Sequence, residues 1–210
     1  MHVRDLLLER PGVTTINSNQ TVREALDAIN ASGYRCIPVI DSTDNYKGMI
    51  YKVHLIEYLY EENGDKGEKI DHLLMHRDTF IKERSSFLNA LIKIKALPFL
   101  SVVEHGKLVG ILTHNKVESV LGDAFGLKTG GINLTISSTE AKGMIEKLTK
   151  TLRGEHIEGM FTLDNGSVLA RRVVITLEGD KTAAEIDKLK EKLEKEGFRI
   201  LQVDKIEKSN

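Results

Sequence analysis

Tryptophan is absent, cysteine occurs once, proline three times, and aromatic residues make up 5% of the 210-residue chain. Each scarcity excludes something. A core without tryptophan is built mostly from aliphatic side chains. A single cysteine, Cys36, rules out an intrachain disulfide and a cysteine-rich zinc site. Set in the apolar run Cys36-Ile37-Pro38-Val39-Ile40, it reads as a buried small hydrophobe. No apolar stretch approaches the about 20 residues of a membrane span. Met1 to Pro11 carries charges among its leucines and lacks a cleavable-signal pattern, so the chain is expected to be cytoplasmic and off the membrane. Lys and Arg number 30 against 31 Asp and Glu, and neither half is basic. Non-specific attraction to nucleic acid or anionic lipid is therefore not expected.

Catalytic signatures are missing as well. No Gly-x-Ser-x-Gly elbow, Walker loop or dinucleotide fingerprint occurs. Asp123, Asp164 and Asp180 form no recognisable catalytic set. Of the seven histidines only His72 and His76 have i,i+4 spacing, and no carboxylate or third histidine completes a metal set. That pair reads as solvated. The expectation is a non-enzymatic chain with no catalytic residue, bound metal or cofactor.

What the chain does have is an internal repeat. The first copy runs Thr14-Thr15-Ile16, a helix, Gly33 to Asp41, a turn, then Lys47-Gly48-Met49-Ile50-Tyr51. The second runs Thr79-Phe80-Ile81, a helix, Phe99 to Glu104, a turn, then Val109-Gly110-Ile111-Leu112-Thr113. The glycines Gly48 and Gly110 stand 62 residues apart. Two copies are too few for a solenoid, and a pseudo-two-fold pair of βαββα units fits better. Thr21-Val22-Arg23-Glu24 is a capping box ahead of Val22, Ala25, Leu26 and Ile29 at helical spacing, and Gly33 stops that helix. A second helix covers Val53 to Leu59. In the second copy Ser85 or Ser86 caps a helix carrying Leu88, Leu91 and Ile92. Glu104-His105-Gly106-Lys107 makes a hairpin, and Val117, Val120 and Leu121 lie on the closing helix. The polar stretch from Glu61 to Lys69 reads as a linker.

A boundary near Gly122 to Gly131 changes the element order to βαββαβ, the ferredoxin-like split motif. Gly131 to Ile136 is strand-like, and Ser137-Ser138-Thr139-Glu140 reads as a capping box before a helix bearing Met144, Ile145, Leu148 and Leu152. Ile157 to Leu163 and Leu169 to Leu177 flank the turn Asp164-Asn165-Gly166. Thr182-Ala183-Ala184-Glu185 caps a helix with Ile186, Leu189 and Leu193 on one face, ended by Gly197. Phe198 to Val203 is the last strand, and the end toward Asn210 is a frayed tail. The fold class is α+β: residues 1–122 as a tandem pair with units of about 3–60 and 70–121, then a βαββαβ domain over 130–206.

The run Gly33-Tyr34-Arg35-Cys36-Ile37-Pro38-Val39 followed by Lys47-Gly48-Met49-Ile50 resembles the CBS motif, and Gly110-Ile111-Leu112-Thr113 resembles its second copy. Two such motifs form a Bateman module. The C-terminal third resembles an ACT domain by element order. The combination is similar to the acetoin-utilisation B type of protein, and the first-unit and Thr113 segments resemble bacterial CBS proteins that bind cyclic di-AMP. The resemblance implies a small-molecule nucleotide in a cleft between paired motifs, a homodimer and a regulated partner protein. It implies ligand contacts from Thr14, Arg35, Cys36, Ile37, Pro38, Thr113, His114, Asn115 and Lys116, with Tyr51, His54 and Leu100 as candidates in a second cleft.

This chain departs from the family in one respect. The Asp that holds ribose hydroxyls falls on Lys116 in one copy and on His54 in the other. A carboxylate accepts hydrogen bonds from a ribose diol, whereas lysine only donates. Lys116, with His114 and Arg35, instead complements a phosphodiester. That favours cyclic di-AMP over AMP or ATP. Read from the residues alone, Thr113 to Lys116 is either a capped turn or a phosphate site, Arg35 either a solvated arginine or a ligand contact, and Tyr51 either a packing or a stacking side chain. In the ACT-like part the loop from Ser137 to Gly143 lacks the proline of amino-acid-binding domains, which points to a dimerisation or relay role. An amino-acid-responsive accessory subunit and a constitutive scaffold are the alternatives.

Overall fold

The computed structural model describes residues 1–140, 142–163, 171–179 and 181–208. The expected Asp164-Asn165-Gly166 turn, the strand start at Leu169, Asp180, Ala141 and Asn210 lie outside them. Two compact units divide the chain, Met1–Val117 and Glu118–Asn210.

In the first unit the elements are β1 (Leu8–Glu9), β2 (Ile16–Asn17), α1 (Val22–Ser32), β3 (Cys36–Ile40), β4 (Tyr46–Tyr51), α2 (Lys52–Tyr60), β5 (Phe80–Ile81), α3 (Phe87–Lys93), β6 (Phe99–Glu104) and β7 (Lys107–Thr113). They are followed by α4 (His114–Ala124), which runs across the division. Each repeat is thus strand, helix, hairpin, helix. The first forms a sheet in the order β2-β3-β4, the second a sheet in the order β1-β7-β6-β5. In both, a short parallel strand joins an antiparallel hairpin. Thr21 accepts from the Glu24 backbone N–H while the Glu24 carboxylate accepts from the Thr21 N–H, so α1 begins where the sequence predicts. It ends on Gly33 in the left-handed region. His105 and Gly106, with φ of 51° and 80°, make the two-residue turn between β6 and β7.

The repeat glycines are explained by what crosses them. A side-chain carbon on Gly48 would lie 2.6 Å from the Met75 carbonyl oxygen, and one on Gly110 would lie 2.3 Å from that of Leu8. Chain segments thus cross between repeats: the one preceding the first repeat pairs with β7, at Leu8 and Glu9, and the one preceding the second bonds to β4, at Met49 and Met75. The hairpin tips also interlock, Tyr46 N–H donating to the Gly106 carbonyl (2.9 Å) and Leu108 N–H to that of Asp44 (3.1 Å). Between the sheets lies an apolar cluster of Val13, Cys36, Met49, Phe99 and Ile111.

One helix has a different phase from the sequence expectation. Ser86 caps α3, accepting from the Asn89 N–H. That start buries Phe87, Ala90 and Ile94, and leaves Leu88 and Ile92 each 66% exposed.

The second unit contains β8 (Gly131–Ser138), α5 (Met144–Thr151), β9 (Ile157–Leu163), β10 (Arg171–Leu177), α6 (Ala183–Lys195) and β11 (Arg199–Ile206). Its antiparallel sheet runs β11-β8-β10-β9, the order of a split βαββαβ fold. Ile132, Leu134 and Ile136 alternate onto the buried face and pack with Leu148, Leu193 and Phe198. The expected capping box at Ser137–Glu140 does not form. Ser137 and Ser138 are taken by strand pairing with Arg172 and Arg171, and α5 starts later, behind Gly143.

Candidate functional site

Arg10 holds the first loop of the site. Its guanidinium donates to the Val13 carbonyl (3.4 Å), the Thr15 hydroxyl (3.1 Å) and Asp44 (3.2 Å), fixing the residues on both sides of Thr14. The start of β3 supplies the second wall. Met49 exchanges both backbone hydrogen bonds with Met75 (2.7 and 2.9 Å), so its polar groups point away from β3. Pro38, opposite Met49, therefore points its own backbone outward, as does Cys36 two residues before it. The lost proline N–H costs no ladder bond there. β2 pairs only with Val39 and Ile40, so this edge stays open.

The third wall is the β7–α4 junction. Thr113 Oγ1 accepts from the Lys116 N–H (3.3 Å), which caps α4 and leaves the hydroxyl proton free to donate. His114 Nε2 lies 2.6 Å from the Leu97 carbonyl oxygen. A carbonyl only accepts, so Nε2 carries the proton, and the ring ties α4 to the chain leading into β6.

These walls enclose a cavity of about 270 Å³. Thr14 lines it from the loop, Arg35, Cys36, Ile37 and Pro38 from β3, and Thr113, His114 and Asn115 from the junction. Lys116 does not line it, and its side chain is exposed on α4. The sequence reading missed Tyr34, Pro98, Phe99 and Ile111, which also line it. The repeat held a signal for one of them, since matching the β3–β4 and β6–β7 registers sets Pro98 at the position of Arg35. No carboxylate contributes to the lining. Burial pushes the Cys36 thiol up to about 12, against a small opposing effect of the Tyr51 hydroxyl, so it is a neutral part of the wall.

The second-cleft candidates are not brought together in the same way. Leu100 is fully buried and unavailable to a ligand. It belongs to β6, both of whose neighbours in the sheet are hydrogen-bonded to it. Tyr51 packs against the apolar cluster between the sheets, with its ring centroid 5.2 Å from that of His54 and 5.8 Å from that of His76. His72 lies 3.8 Å from Glu68, and among the described residues no group of three or more His, Cys, Asp or Glu is placed to hold a metal ion. Nor is any helix among them long and apolar enough to cross a membrane.

Comparison with known proteins bears on the first unit. Residues 3–61 match the family model of the CBS domain. Solved structures extend the likeness over both repeats. A crystal structure of CbpB in complex with c-di-AMP has a TM-score of 0.54 at 18% identity, covering 58% of this chain and 85% of that one. A CBS domain-containing protein of unknown function from Bacillus anthracis str. Ames Ancestor has a TM-score of 0.52 at 26% identity, covering 58% and 93%. CBSX2 in complex with AMP has a TM-score of 0.51 at 21% identity, covering 57% and 95%. The fold of a CBS pair is thereby shown. Among curated proteins, the magnesium and cobalt efflux protein CorC of Pasteurella multocida (strain Pm70) is 26% identical over 129 residues, 59% of this chain. The chain spans 42% of that relative's length.

Proposed function

We propose that this chain is a non-enzymatic regulator that senses an adenine nucleotide, cyclic di-AMP foremost, in the 270 Å³ cavity of its CBS pair. One observation carries the reading. Residues from both repeats, Thr14 and Arg35 to Pro38 on one side and Thr113 to Asn115 on the other, surround one space with no carboxylate in its wall. Ile37, Phe99 and Ile111 offer apolar surface to a flat base, and the outward backbone of Cys36 offers hydrogen bonds to its polar edge. Thr113 donates to a phosphate oxygen, Arg35 supplies charge, and Lys116 adds positive potential from the first turn of α4. CbpB is described with c-di-AMP and CBSX2 with AMP on the same fold, which supports the nucleotide class. AMP is the second reading, favoured by a cavity volume just under the about 300–1,000 Å³ usual for small-ligand sites. Binding shifts the protein between two packings, and a partner protein reads the difference. We further propose a cytoplasmic homodimer. Its test is sedimentation, where a monomer at micromolar concentration contradicts it.

A thermal-shift screen against AMP, ATP, cyclic di-AMP and free amino acids tests the reading. A ligand at about 100 times its Kd adds about 2.7 kcal/mol, which raises the Tm of a chain of this size by about 5–10 °C. The largest shift is expected with cyclic di-AMP. A shift with amino acids alone replaces this reading with an accessory subunit acting through the ACT-like second unit. No shift with any of them leaves a scaffold.

A further inference from the structure

Beside the nucleotide-sized cavity lies a larger hollow of about 610 Å³, lined by the C-terminal end of α1 and the N-terminal end of α2. Tyr34, Arg35, Cys36 and Pro98 line both spaces. One rim therefore serves two adjoining hollows. Val53 and Ile56, 51% and 38% exposed, belong only to the larger one. The larger space has Lys52 and Arg35 in its wall, and like the smaller one it has no carboxylate.

We propose that the two spaces are halves of a single site, and that the larger one takes the second nucleoside of a cyclic dinucleotide whose first nucleoside fills the smaller. This rests on the nucleotide reading of the smaller cavity. A cavity already below the usual small-ligand range holds one nucleoside, and a dinucleotide needs the adjoining space. Its two phosphodiesters carry two negative charges, which sit beside the shared rim, where Arg35 stands with Lys52 in the adjoining wall of the larger space, and where a carboxylate in either wall would repel them. Tyr34, 57% exposed on that rim, presents a flat face on which a base stacks. A mononucleotide leaves the larger hollow empty, so Tyr34, Val53 and Ile56 set the preference for two nucleosides over one.

The test is calorimetric titration of the full chain with AMP and with cyclic di-AMP, in the parent and in Val53→Trp, Ile56→Gln and Tyr34→Ala. These side chains are exposed, and the melting temperature of the free variants verifies folding. Val53→Trp fills the larger hollow. It should weaken cyclic di-AMP about tenfold or more while AMP stays within about twofold. Ile56→Gln should act in the same direction, and Tyr34→Ala should weaken cyclic di-AMP more than AMP. Equal losses for both ligands, or none for cyclic di-AMP in any folded variant, overturn the proposal. So does a change of sedimentation in Val53→Trp with the ratio of the two affinities unchanged, because the hollow is then a contact between copies. If the parent binds AMP but cyclic di-AMP no more tightly, this proposal fails while the nucleotide reading stands. If neither ligand binds, both fail.

Discussion

In the proposed site Thr113 serves two partners at once. Its oxygen accepts from the Lys116 N–H and its proton remains for a ligand. Thr113→Ala therefore removes both, and the effects separate by measurement. A hydrogen bond to a charged group contributes about 1.5–3 kcal/mol, so calorimetry should show affinity falling tenfold or more. Loss of the cap should cost about 1 kcal/mol, read by denaturant unfolding of the free protein. Thr113→Ser should keep both properties. Arg35→Ala should weaken the nucleotide without lowering stability, because its side chain is exposed. Cys36 gives a pH prediction. Its folded value of about 12 stands above the ordinary 9.0, because burial favours the neutral thiol. The associated stability is fully present below pH 9 and is lost as pH rises toward 12. Tyr46, raised by burial from 10.0 to about 12, acts in the same direction. Thermal melts should fall in this alkaline window, less steeply in Cys36→Ala, and a thiol reagent at pH 8 should leave the folded parent unmodified. Rapid modification contradicts the buried placement.

At the scale of elements, the two repeats share an order but differ at one strand edge. In the second repeat β5 pairs with Ser101 and Val102; in the first, β2 pairs with Val39 and Ile40. The position matching Ser101 is Pro38, which has no N–H to offer, and there the edge stays open to the cavity. The repeat glycines make a stability prediction. Gly110→Ala places a carbon against the Leu8 carbonyl and should push β1 off β7, lowering the melting temperature by several degrees in a thermal melt; an unchanged melt contradicts the crossing of the two segments. Element order was legible because capping boxes and turns are local signals, as at Thr21, Gly33, Thr182 and His105-Gly106. The phase of α3 was not, since Leu88, Leu91 and Ile92 have the same spacing as a core face. Only the cap at Ser86 decides that Phe87 and Ala90 turn inward. The false cap at Ser137 failed for a tertiary reason, because sheet pairing claimed a segment whose local sequence also suits a helix start.

At the scale of the whole molecule, eight of the nine residues expected around the first cleft line one cavity, although about 100 residues separate Thr14 from Thr113. The resemblance of the repeats to the CBS motif made that visible. Lys116 was harder to place, since the sequence fixes its distance from Thr113 along the chain but not the direction α4 turns it. Tyr34 and Pro98 escaped because neither residue type announces a ligand, and both matter through their place at the rim between two hollows. The deciding measurement is titration of cyclic di-AMP into the parent chain and into Thr113→Ala. Saturable binding by the parent, tighter than AMP, and a loss of tenfold or more in the variant are expected. Cyclic di-AMP that fails to bind the parent, or that binds Thr113→Ala equally well, contradicts a nucleotide held by Thr113 in the CBS-pair cavity.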